Sequence, residues 1–126
     1  MTLQAIMKSD QAAGDGSAPA AIDRGHLARM TFGDRSLERD VLALFDRQAV
    51  MLIERMRGGD PAKIAALAHT LKGSAAGIGA GRVALTADAA EIAAGGTATE
   101  CGLAIDRLAQ AVDEARTLIA ELLRQA

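Results

Sequence analysis

Apolar residues in this chain recur three and four positions apart along most of its length and nowhere alternate singly, a period that suits α-helices and leaves no strand pattern to compete. Leu37, Val41, Leu44, Phe45, Gln48, Leu52 and Met56 follow this spacing, with Arg35, Glu38, Arg39, Asp46, Arg47 and Glu54 filling much of the rest, so one long amphipathic helix is predicted. Near the C-terminus Ile105, Leu108, Val112, Ala115, Ile119 and Leu122 step by three and four in turn, the seam of an antiparallel bundle. Half of the residues are hydrophobic but only 2% are aromatic, so the apolar content is mostly Ala and Leu. A sandwich or barrel would want more β-branched and aromatic residues.

Glycine and proline mark where the helices stop and start. Gly58 and Gly59 end the long helix, and Asp60 followed by Pro61 is an N-cap with proline at the first helical position. The next helix then runs through Ile64, Leu67, Leu71 and Ala75 to about Ile78, where Gly79 and Gly81 end it. A further helix from Arg82 to about Ala94 is closed by Gly95 and Gly96, and the last spans about Thr99 to Leu123. Ahead of them all, Ile22, Leu27 and Met30 place a short helix against the body, ending near Phe32 and Gly33. The predicted fold is all-α: an antiparallel up-down four-helix bundle with a short additional N-terminal helix. With 126 residues there is room for one core. Residues 1–21, rich in Gly, Ala and Ser, read as a flexible tail, and residues 22–126 as the bundle.

Several classes of function fall away. Fourteen basic against sixteen acidic residues give a net charge of −2 with no basic stripe, which argues against a nucleic-acid binder. No run approaches the roughly 20 apolar residues that span a bilayer, and the N-terminus lacks the order of a signal peptide. Cys101 has no partner for an internal disulfide, and one Cys with two His is a poor set for structural zinc. A monomer in the cytoplasm is expected.

The third predicted helix carries the feature that scaffolding does not explain. At about 100° per residue, Ile64, Leu67, Leu71, Ala75 and Ile78 fall in one core-facing sector, and His69 lies about 160° from its centre. Around His69 the outward positions are Ala62, Ala65, Ala66, Gly73 and Ala76, with Lys72 one turn along. Other outward positions in this chain hold Arg, Glu and Asp, so a bare face suggests that something docks. Gly73 costs about 1 kcal/mol of helix propensity relative to Ala. What it gains is clearance beside the ring. The chemistry that wants an exposed imidazole under an approaching partner is phosphoryl transfer: the ring is largely neutral near pH 7 and its free nitrogen is a competent nucleophile without a dedicated base. Lys72 is positioned to offset the charge of a phosphoryl group held there. The divalent metal and acidic cluster that such transfer also uses are not visible in this sequence and would arrive on the partner.

His69-Thr70-Leu71-Lys72-Gly73-Ser74, with Ala68 before it and Ala75, Gly79 and Ala80 after it, resembles the signature of histidine-containing phosphotransfer domains, the relay modules of multistep two-component signalling. Gly33-Asp34, Phe45 and Glu91 extend the resemblance over about residues 22 to 123. It implies His69 as phosphoacceptor, Lys72 as the nearby cation and Gly73 as the clearance position. It implies as partners the receiver domains of response regulators, with Mg²⁺ on the receiver and no cofactor of the chain's own, and a (hybrid) histidine kinase as the donor's source. The chain would then be a phosphocarrier without kinase activity. Gly77 and Ala90 depart from the family, which often has Asn and Leu there.

The alternative is a helical docking module that binds receivers or kinases without accepting phosphate; a third is the acceptor domain of a larger chemotaxis-type kinase. His26 reads as a surface or packing residue, Cys101 as an incidental thiol, and Asp113-Glu114 as a solvated face. Gly77 to Gly81 follows a helix instead of a strand, which argues against a nucleotide loop. Partner choice is expected on the long helix and the outer face of the third, with Arg47, Arg55 and Arg57 as contributors.

Overall fold

The structure, a computed structural model, describes residues 20–125. The expected tail lies almost wholly outside these residues. Among the described residues the chain forms α1 (Arg24–Met30), α2 (Arg35–Arg57), α3 (Pro61–Ile78), α4 (Gly81–Ala93) and α5 (Ala98–Arg124), with no strand. Four of these begin on a side chain that takes up an otherwise unpaired N–H of the first turn. Asp23 accepts from His26 N, Asp34 from Leu37 N and Asp60 from Lys63 N at 2.9–3.0 Å. Thr97 and Glu100 cap α5 reciprocally, and the bonds from Thr97 hold the Glu100 carboxyl below its usual range.

From α2 onward consecutive helices lie side by side, and α5 returns to α2, so α2 to α5 close into a ring around one core, while α1 packs on α3. Cross-links give the directions. Between α2 and α5 they run Arg39 to Leu123, Asp46 to Arg116 and Arg57 to Asp106, falling along one helix as they rise along the other. Between α3 and α4 they run His69 to Glu91 and Lys72 to Asp88. Both pairs are antiparallel, as the short connections require.

Leu27, Leu42, Met56, Leu71, Val83, Leu108 and Ile119 are the large side chains wholly buried in the core, each contributing about 1.5–3 kcal/mol by leaving water. Ala68, Ala75, Ala80, Ala87 and Ala90 are also fully buried, which lets α3 and α4 approach closely. Some expected core positions prove otherwise. On α2 the buried line is Leu42, Phe45, Ala49, Leu52, Ile53 and Met56, while Leu37 and Leu44 are exposed. Met30 is half exposed, and on α3 Ala68 takes the buried place expected for Leu67.

α1 clamps the end of α3. Asp23 N donates to Gly79 O at 2.8 Å, and the half-buried His26 ring donates from Nε2 to Gly77 O at 3.1 Å, so two carbonyls left over by the last turn of α3 are satisfied. The expectation of His26 as a surface or packing residue is thus sharpened into a helix-end tie. Gly79 sits at φ 83°, and a Cβ there would lie 2.9 Å from Asp23 O. Gly79→Ala is therefore expected to lower stability by about 1–3 kcal/mol, read by thermal or urea unfolding. Gly77, by contrast, has open space where a Cβ would point, so close helix packing does not explain that glycine.

Candidate functional site

His69 sits midway along α3 with its side chain 67% exposed. Leu71 and Ala68, both fully buried, hold the backbone beneath it. Ala62, Ala66, Gly73 and Ala76 are exposed on the same face, and Ala65 is half buried. A Cβ built on Gly73 would meet nothing within 4 Å, so nothing in the chain itself demands glycine there. The bare face predicted from helical phase is present.

The ring is not isolated from α4. His69 Nδ1 lies 3.2 and 3.3 Å from the two carboxylate oxygens of Glu91. An ionised carboxylate only accepts, so in the neutral ring Nδ1 carries the proton and donates it. Nε2 is left with its lone pair, in a ring whose side chain is largely exposed. Glu91 thus performs for His69 what a second group does for many reactive imidazoles: it fixes tautomer and orientation. The sequence names Glu91 only within the resemblance and predicts a ring that needs no dedicated base. Glu91 is not such a base: its hydrogen bond falls on the nitrogen opposite the lone pair and takes no proton from the nucleophile.

Lys72 joins the same group. Its Nζ lies 3.0 Å from Asp88 Oδ1 and 3.3 Å from Glu91 Oε1. The cation expected beside the ring is, in the free protein, paired with two carboxylates, one of which also binds the ring. Hydrogen bonds to Asp88 and then Glu91 raise the Lys72 pKa above its ordinary value, so it stays charged. Burial pushes the Glu91 carboxyl upward, but the hydrogen bonds from Lys72 and His69 outweigh it and leave Glu91 below its usual range, ionised near pH 7. With the ring neutral, the cluster carries one positive and two negative charges. It can orient an imidazole, keep one nitrogen open and supply a cation if the lysine changes partner.

Asp88 is the residue that sequence reasoning missed outright. Its signal was present: Asp88 and Glu91 are three apart and share the α3 side of α4, as Lys72 and His69 share the α4 side of α3. Among the other residues singled out, Arg57 pairs with Asp106 of α5 at 2.9 Å. Glu114 of the solvated pair is bound to Arg82, and Cys101 packs half buried against the core.

Comparison with known proteins bears on the fold and the family. A rice protein described as a "putative histidine-containing phosphotransfer protein" has the same fold, with 18% identity, a TM-score of 0.74 and coverage of 97% of this chain and 91% of that one. None of the curated proteins matches. The family model of the Hpt domain matches residues 39–125, the stretch that holds α2 from Arg39 onward, the His69 face, the Glu91 cluster and nearly all of α5. The chain belongs to the Hpt domain family.

Proposed function

We propose that this chain is a phosphocarrier that takes a phosphoryl group from the aspartyl phosphate of one receiver domain onto His69 and gives it to the aspartate of another. Membership of the family already gives it a phosphotransfer role in two-component signalling. The observation that carries the finer reading is the hydrogen bond from Nδ1 of the 67% exposed His69 side chain to Glu91, which leaves the lone pair on Nε2.

In the step, the Nε2 lone pair attacks phosphorus in line. The N–P bond forms as the P–O bond to the aspartyl carboxyl breaks, and the electron pair leaves with a carboxylate. No proton has to depart from Nε2. Nδ1 keeps its own, so the phosphorylated ring is an imidazolium facing the Glu91 carboxylate, which stabilises it. Acyl phosphate and phosphoramidate are both high in energy, so the carrier has little to do beyond alignment, and the reverse step is equally open.

Mg²⁺ and an acidic cluster belong to the receiver in this scheme. The docking surface is the small-residue face of α3 with the adjoining side of α2, where Leu44 and Met51 are exposed one above the other and Arg55 shares their sector. No helix among the described residues is long and apolar enough to cross a membrane, which fits a carrier meeting its partners in the cytoplasm.

The test is incubation of the chain with a panel of phosphorylated receivers from one cell. Rapid loss of label from one receiver with label appearing here is the expected result. Tight binding to receivers with no label transferred would instead make the chain a docking module.

A further inference from the structure

The Lys72 ammonium has more than one claim on it. It is bound to Asp88 Oδ1 at 3.0 Å and to Glu91 Oε1 at 3.3 Å, and Glu91 is also the carboxylate that holds His69. Glu91 is committed to the ring, more so once the ring becomes a cation. Asp88 has no such second duty: its carboxylate, about half exposed, makes its contact with Lys72. A phosphoryl group on Nε2 would bring about two negative charges into this cluster. Lys72 is drawn toward that group at the expense of its bond to Asp88, so the bond sets a cost on its release.

We infer that Asp88 is a positioning residue that holds Lys72 in reserve, so that the phosphorylated carrier is kept less stable and the group is more readily passed on. Asp88 acts through Lys72 and touches neither the ring nor, in the scheme above, the reacting atoms. The inference rests on the phosphocarrier reading and deepens it: it assigns a residue that sets where the phosphoryl equilibrium lies between carrier and receiver.

The experiment measures the equilibrium ratio of label on the carrier to label on a receiver that exchanges with it, for the full chain and its variants. Asp88→Asn removes the competing charge at a half-exposed site and is expected to shift the ratio toward the carrier by about 3- to 10-fold. Asp88→Glu should restore the wild-type ratio. In a Lys72→Met background, Asp88→Asn should produce no gain, because there is no ammonium to release. A ratio unmoved or shifted toward the receiver by Asp88→Asn would overturn the inference. So would an equal gain with and without Lys72, which would mean that Asp88 acts by direct repulsion. A wild-type chain that takes no label from any receiver would overturn the carrier reading and this inference with it, whereas a labelled wild type with an unmoved ratio would overturn this inference alone.

Discussion

His69→Gln should abolish phosphoryl acceptance altogether while leaving the chain folded and able to bind receivers. The side chain is 67% exposed and its ring holds no other helix in place except through Glu91, so the substitution costs the core nothing. A glutamine amide keeps much of the size and can still donate to Glu91, but its nitrogen lone pair is delocalised into the carbonyl and does not attack phosphorus. Label from a phosphorylated receiver is therefore expected to fall below detection, with the dissociation constant for the unphosphorylated receiver changed by no more than about threefold, as for an exposed polar swap. Transfer that survives in this variant would move the acceptor elsewhere; His26, the other histidine, is half buried with its Nε2 engaged on Gly77 O.

The second large effect is expected at Gly73, where folding and function should part. A side chain at Gly73 would point into open space, so the free protein accommodates it. Replacing a mid-helix glycine by leucine or alanine improves helix propensity by about 1 kcal/mol, less whatever an exposed leucine costs in solubility. A docking receiver, however, has to bring its phosphoaspartate into line with Nε2 one turn away, and a leucine there holds it off. Displacement of reacting atoms by about 1 Å is enough to cost ~100-fold in rate. Gly73→Leu should thus unfold at the same or a higher urea concentration than wild type and yet transfer ~100-fold more slowly, with Gly73→Ala intermediate. Normal transfer by Gly73→Leu would show that the partner does not come down over this face.

What the sequence made legible was local. Asp60-Pro61 names a helix start from two residues, and the phase of His69 against Ile64, Leu71, Ala75 and Ile78 follows from 100° per residue with no knowledge of the other helices. Glu91 and Asp88 were harder because their importance lies in the register between α3 and α4, which depends on how fully buried alanines such as Ala68, Ala87 and Ala90 let the helices settle. On α2, Leu37, Val41, Leu44 and Gln48 compete with Leu42, Phe45, Ala49 and Ile53 for the inward face. The predicted row shares Phe45, Leu52 and Met56 with the buried one but takes Leu37 and Leu44 where the core takes Leu42, Ala49 and Ile53. The error is informative, since apolar side chains left outside, as at Leu44 and Met51, are what a docking surface needs. Thr97-Ala98-Thr99-Glu100 was readable as a capping box and would have placed the start of α5 within a residue.

The most direct measurement is the position of the phosphoryl group itself, found by proton, nitrogen and phosphorus NMR on the full-length chain after transfer from a phosphorylated receiver. The hydrogen bond from Nδ1 to Glu91 leads to one expected result: phosphorus bonded to Nε2 of His69, with the proton retained on Nδ1. Phosphorus on Nδ1, on His26 or on a carboxylate of this chain would contradict it.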